Sequence, residues 1–235
     1  MDILAVGAHP DDIEINCAGT LARYAAEGHA VTIAVFTCGN MGDLVVPPDE
    51  LAVTRHREAQ ASAEIIGARL LWPAVTDELV FPNETQRSIM IDLLREADPD
   101  VIITHSPNDY HPDHCYVSQL VFDSFFQKGL PHIPNQSQPP CRFGQAQIYQ
   151  MDNLGGIGFL PTEYVDITDV FETKKKMLAC HLSQVKPMKE LANTDMLQLI
   201  EVQARFRGFA AGCELAEGFC RVEAYQRGLT RRILP

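Results

Sequence analysis

Apolar positions along the chain fall into two kinds of segment. Residues 3–7, 30–37 and 101–104 are apolar nearly throughout and rich in β-branched side chains, as strands buried on both faces should be. Between them, residues 13–27, 50–68, 84–97 and 112–128 carry apolar side chains at helical spacing. Ile15, Ala18, Ala22 and Ala25 share one side of the first, and Val117, Leu120, Val121 and Phe125 one side of the last. Residues 69–72 form a short strand cut off by Pro73. Strand and helix in alternation, with strands this apolar, predict a parallel sheet covered on both faces.

The second part of the chain is less regular. Residues 129–140 (GLPHIPNQSQPP) have loop composition. Residues 147–151 and 164–167 are expected as later strands, and 168–182 and 194–211 as helices. With no internal repeat or low-complexity tract, we expect one domain over 1–235: a core (1–128) and a less regular substrate-cleft and C-terminal helical portion (129–235). Gly155-Gly156-Ile157-Gly158 lacks a strand-to-helix context, so it reads as a flexible loop bordering the cleft rather than a nucleotide loop.

Two tetrapeptides interrupt this pattern, His9-Pro10-Asp11-Asp12 and His111-Pro112-Asp113-His114. Each follows a predicted strand and opens a predicted helix. A proline at the first helical position loses no hydrogen bond, and the residues flanking it lie at i and i+3, on one side of the first turn. Ligands of open parallel sheets bind beyond the carboxyl ends of the strands, where the winding reverses. Two such junctions facing each other bring three histidines and three aspartates into one cleft. Imidazole and carboxylate together suit zinc, whose catalytic sites keep three protein ligands and an open position. A further carboxylate can take a proton from water, and a further histidine can protonate a leaving amine or steady an oxyanion. The parts suit metal-assisted amide hydrolysis. The competing reading of either tetrapeptide alone is an acidic helix cap.

Composition narrows the partners. Hydrophobic residues at 46% allow a sizeable core, whereas a net charge of −12 argues against a nucleic-acid partner. No apolar run approaches a membrane span, and residues 1–12 show no basic leader, so no membrane partner is expected. Seven cysteines, an odd count without a Cys-x-x-Cys pair, fit a reducing compartment, and the protein is read as cytoplasmic. Cys213 and Cys220, seven apart, are read as core positions on one helix face, and His181 as a structural histidine.

The stretches VGAHPDDIEINCAGTLARYAAEGHAVTIAVFT and HSPNDYHPDHCYVSQLVFD resemble the PIG-L/LmbE-like family of zinc-dependent N-deacetylases, as do TRHREAQASAEIIGA and KKKMLACHLSQ more weakly. The resemblance implies a Rossmann-like three-layer α/β sandwich with a mostly parallel central sheet and an appended C-terminal α+β portion. It implies metal ligands at His9, Asp12 and His114, a general base at Asp11, and an acid or oxyanion stabiliser at His111. Asp113 matches a carboxylate that orients a histidine, and the spacing suggests His111 as that histidine. Arg55 matches an arginine reaching the substrate pocket; taken alone, it reads as a solvated partner of Glu58. One Zn2+ per chain is implied, and Fe2+ fits the same N2O set. The implied substrate is a small N-acetyl amino-sugar conjugate, and relatives are often homo-oligomers. Ala18-Gly19 stands where many members have paired glycines, and Cys115 where a basic residue is frequent. Two further readings fit the ligand types: a non-haem iron oxygenase and a non-catalytic metal-binding module.

Overall fold

A computed structural model describes residues 1–134, 136–143 and 146–223; the expected domain extends to 224–235, outside the described residues. The first half follows the predicted alternation. Strands β1 (Asp2–Gly7), β2 (Ala30–Val35), β3 (Arg69–Leu71) and β4 (Val101–Thr104) are separated by helices α1 (Asp12–Asn16), α2 (Ala18–Ala26), α3 (Pro48–Ile65) and α4 (Glu84–Ala97). Then come α5 (Pro112–Ser124), β5 (Gln147–Met151), β6 (Glu163–Asp166), α6 (Phe171–Ala179), α7 (Leu182–Ala192), α8 (Met196–Ala211) and β7 (Ala216–Arg221).

One seven-stranded sheet runs in the order β3-β2-β1-β4-β5-β7-β6. Strands β1 to β5 pair in parallel, and β7 lies antiparallel between β5 and β6. Both portions of the chain therefore contribute to one sheet, mostly parallel and helix-covered on both sides. Successive residues explain the apolar strands: Ile3 and Ala5 face one core with α2, α3, α6 and α8, while Leu4 and Val6 face the other with α4 and α5. Val101 and Ile103 divide from Ile102 in the same way. The winding reverses between β1 and β4, and the crevice beyond their carboxyl ends holds the site.

Several expectations need correction. The single helix expected over 13–27 breaks at Cys17 (φ −146°, ψ 6°), where α1 ends and α2 gains its own start. Glu217 takes the N–H groups of Gly19 and Thr20 at the start of α2 and ion-pairs with Lys174, which also donates to the Ile15 carbonyl. The helix expected over 168–182 begins only at Phe171, after a 3-10 turn, and α7 follows it as a separate helix; β7 was not expected. Cys213 lies beyond α8 and Cys220 in β7, both only partly buried, so they share no helix face. All seven cysteines are free. Among the described residues no helix is long and apolar enough to cross a membrane.

Candidate metal centre and catalytic cleft

The two tetrapeptides open their helices differently. At the second, His111 is the N-cap of α5, Pro112 takes the first turn as expected, and His111 Nδ1 accepts the Asp113 N–H at 3.2 Å. At the first, Pro10 is not the first helical residue. The chain turns through His9 and Asp11, and α1 starts only at Asp12. Asp11 holds φ 123°, ψ −22°, a region that side chains with a Cβ rarely adopt, and its carboxylate makes no capping hydrogen bond. The turn is closed by the Asp12 carboxylate, which accepts the His9 N–H at 2.6 Å.

The residues expected to bind metal converge. His9 Nδ1 lies 3.4 Å from Asp12 Oδ2, His114 Nε2 lies 3.2 Å from Asp12 Oδ1, and the two ring nitrogens are 3.2 Å apart. Ligand atoms bonded at about 2.0–2.2 Å to one tetrahedral ion sit about 3.3 Å from each other. Each histidine faces a different Asp12 oxygen, and lone-pair donors this close need a cation among them or a proton on one of them, so these residues fit a divalent metal. The electrostatics agree. Burial alone would lower His114, but Asp12 and Asp109 raise it to about 10. Burial also works against a charged His9, yet Asp113, Asp12 and Asp77 hold it well above its ordinary value. Burial would raise Asp12, and His114 and His105 outweigh it and lower it.

Carboxylates back the far side of each histidine. His9 Nε2 faces Asp77 Oδ1 at 3.2 Å and Asp113 Oδ2 at 3.4 Å; His114 Nδ1 faces Asp109 Oδ1 at 3.2 Å. Such outer carboxylates fix ring orientation and ligand basicity. Asp113 thus lies against His9, not His111 as expected. The reason is local: the first turn of α5 directs the Asp113 side chain back to the β1 junction, where it also accepts the Glu78 N–H at 3.0 Å. Glu78 takes the place beside His111, its Oε1 3.4 Å from His111 Nε2. Sequence reasoning gave Asp77, Glu78 and Asp109 no role. It also gave no role to His105, which directly follows β4, stacks on His114 with ring centroids 4.0 Å apart and lies 3.1 Å from Asp12 Oδ2. Burial and the neighbouring His114 lower His105 to about 4, which keeps it neutral. Its place directly after a buried strand was the available signal. Among the described residues four overlapping donor groups result, including His9–His111–His114 and Asp12–His105–His114, joined through His114.

Asp11 stands beside this cluster, on the wall of a cavity of about 210 Å³. Burial, and then the Asp12 charge, raise it to about 7. Arg55 lines the same cavity and is only 3% exposed, so it is not the solvated partner of Glu58. Its Nη2 donates to Gln184 Oε1 at 2.6 Å, while Glu58 accepts from the Ser183 N–H and hydroxyl at the start of α7. A Cβ at Gly39 or Gly42 would come within 2.7 Å of the guanidinium, which explains glycine at both. His181 is buried at the N-cap of α7 with Nε2 3.1 Å from Glu14. The cavity is lined by Leu154, just before the 155–158 loop, and not by the loop's own residues; the loop is tethered, since Arg207 pairs with Asp152 and donates to the Gly156 and Phe159 carbonyls. Larger cavities, of about 430 Å³ against α4 and 400 Å³ against α5, gather no comparable donors.

Residues 4–125 match the PIG-L family, described as GlcNAc-PI de-N-acetylase. Diacetylchitobiose deacetylase of Thermococcus kodakarensis is 30% identical over 195 residues, covering 77% of this chain and 69% of the relative. This chain belongs to the PIG-L family. The match spans both tetrapeptides, and the family is metal-dependent, in keeping with the donor set above. Among solved structures, the PIG-L chain is similar to N,N'-diacetylchitobiose deacetylase from Pyrococcus horikoshii (TM-score 0.82, 27% identity, 97% of this chain and 86% of that one). It also shares its fold with GalB, the 4-carboxy-2-hydroxymuconate hydratase of Pseudomonas putida (TM-score 0.79, 20% identity, 99% and 100% covered).

Proposed function

We propose that this chain is a metal-dependent hydrolase that removes an N-acetyl group from a small N-acetylglucosamine-type conjugate. The observation that carries this is the convergence of His9, Asp12 and His114 beside two groups able to move protons, Asp11 and His111, in a chain of the deacetylase family. His9, Asp12 and His114 would hold the ion. Zinc is the proposed metal, with iron(II) the alternative for an N2O donor set. Bound there, the metal would acidify a water to a pKa of about 7 and polarise the scissile carbonyl.

The roles of the two proton carriers follow from their surroundings. Asp11 is a carboxylate without a capping partner, with its pKa raised to about 7 by burial and by Asp12. That suits a general base working near neutrality, which takes a proton from the attacking water. His111 Nδ1 accepts a backbone N–H, so in the neutral ring the proton sits on Nε2, which is a donor. A donor there can hydrogen-bond the carbonyl oxygen as it gains charge, or protonate the departing amine. Asp113 supports His9, and Arg55 with Gln184 forms part of the cavity wall. One sheet shared by both portions supports reading 1–235 as a single domain. Seven free cysteines support a reducing, cytoplasmic setting.

The test is release of free amine from a panel of N-acetylglucosamine conjugates, by metal-stripped protein reloaded with zinc or iron(II). Amine release that depends on metal and drops in Asp11→Asn and His111→Ala, each at normal metal content, is expected. Oxidised product under air, or metal binding with no turnover on any conjugate, would favour an oxygenase or a binding module instead.

A further inference from the structure

The cavity holds only part of a conjugate. Sites that enclose a whole drug-sized ligand measure about 300–1,000 Å³, and this one measures about 210 Å³. The reacting acetamido sugar takes the interior, and the remainder must cross the rim. The rim beside His111 is Glu78, whose side chain is 61% exposed. It is not a freely moving surface residue. Its backbone is held at φ 62° by an N–H shared between Asp113 Oδ2 (3.0 Å) and Asp77 Oδ1 (3.1 Å), and its Oε1 lies 3.4 Å from His111 Nε2, which brings the carboxylate to the rim of the cleft. Behind it stand Asp11, Asp77 and Asp113. Among the described residues lining the cavity, Arg55 is the one Lys or Arg; it is buried away from solvent, with Nη2 donating to Gln184. A site built for a phosphate or carboxylate presents free arginine or lysine donors to it. Here an anionic group leaving the cavity meets Glu78 first.

We infer that Glu78 is a specificity residue that rejects conjugates with a negatively charged aglycone, so that the substrate is a neutral or cationic N-acetylglucosaminide. This rests on the deacetylase reading above. One charge acting across about 7 Å of partly solvated space changes binding by about three- to tenfold.

The test is kcat/KM of the metal-loaded enzyme on three conjugates of one sugar: N,N'-diacetylchitobiose (neutral), N-acetylglucosamine 1-phosphate (anionic) and the 2-aminoethyl glycoside (cationic). The wild type should prefer the neutral and cationic conjugates. Glu78→Gln should raise the anionic-to-neutral ratio about three- to tenfold, mainly through KM, and Glu78→Lys further. The ratio cancels any effect of Glu78 on His111 common to all three substrates. The discrimination should also shrink at high salt, because the rim is solvent-exposed. A wild type that prefers the anionic conjugate, or a ratio that neither variant moves, would overturn the inference. Amine release from the neutral conjugate alongside such a result would leave the deacetylase reading intact. Release from none of the three would overturn both.

Discussion

Asp11 offers a test in which stability and activity should move in opposite directions. Its φ of 123° lies in a region that glycine enters freely and aspartate does not. A residue held there costs about 1–3 kcal/mol. Its carboxylate contributes no cap to α1 that would be lost on substitution. Asp11→Gly should relieve that strain and offset it by about 0.4–1 kcal/mol, the extra chain entropy glycine gains on unfolding. The net expectation is a gain of about 0.5–2 kcal/mol. At the entropy of unfolding of a chain this size, that is a rise in Tm of about 1–8 °C. Turnover should fall by about two to four orders of magnitude, the usual worth of positioned proton transfer. Asp11→Asn, which keeps the Cβ, should lose the activity without the gain. The assay is thermal and denaturant unfolding of all three proteins under excess chelator, to remove metal binding from the comparison, with amine release measured separately after reloading. A Tm below wild type for Asp11→Gly would refute the strain argument. A turnover near wild type would refute the assignment of Asp11 as base.

Other consequences can be measured independently. Asp113→Asn and Asp109→Asn, which weaken the support behind His9 and His114, should each lower metal affinity about 10–100-fold in a chelator competition, with the fold intact by circular dichroism. Glu217→Ala leaves Lys174 buried without its charge partner and uncaps α2, so it should cost about 3–5 kcal/mol in urea unfolding; Lys174→Met combined with Glu217→Ala should cost less than the sum of the two single changes. Burial tends to raise Asp92, but the Ser137 hydroxyl and the Ser137 and Gln138 N–H groups outweigh it and lower its pKa. A depressed carboxylate stabilises the fold above its unfolded pKa of about 3.9, and the contribution is lost as pH falls through the folded value. The stability gap between wild type and Asp92→Asn should therefore be full at neutral pH and close as the solution is acidified below about pH 4.

The parallel half of the sheet was legible because its strands are buried on both faces and leave uninterrupted apolar runs, as in 30–37 and 101–104. The two tetrapeptides were legible because a histidine, a proline and acidic residues between an apolar strand and a helix have few structural uses. The break at Cys17 was not, since helical spacing of apolar residues continues through it and only Glu217, two hundred residues later, marks the second helix start. Strand β7 (AEGFCR) escaped because a glycine and two charged side chains interrupt its alternation. Asp77, Glu78 and Asp109 sit in polar loops, where a lone acidic residue reads as solvated. Arg55 and Glu58 illustrate the same limit from the other side. At i and i+3 on a helix they look like a local pair, yet Arg55 reaches Gln184 and Glu58 reaches Ser183, 129 and 125 positions away. Periodicity reports which face of an element is buried, not which distant element covers it.

The Pseudomonas hydratase shares this fold almost throughout, so sheet and crevice do not by themselves choose between hydrating a substrate and cleaving an amide. The two reactions begin alike, with a base taking a proton from water. They part at the second proton. Hydration of a double bond delivers it to carbon, whereas an amide nitrogen must be protonated before it can leave. In this chain the groups suited to these tasks stand on different strand junctions, Asp11 after β1 and His111 after β4, and both line the cavity that His9, Asp12 and His114 line. The α5 backbone occupies His111 Nδ1, which leaves Nε2 as a donor at the cavity wall, next to Glu78. Amide cleavage calls for a carboxylate that activates water and a separate donor for the nitrogen, and the two residues proposed for these tasks come from different junctions. The same separation makes the two residues separable by experiment. If Asp11 acts on water alone and His111 on the leaving nitrogen, a substrate whose amine is a better leaving group, such as an acetanilide with an electron-withdrawing ring substituent, should regain rate in His111→Ala and not in Asp11→Asn. Equal recovery in both variants would mean that the two groups do not divide the proton transfers as their positions suggest.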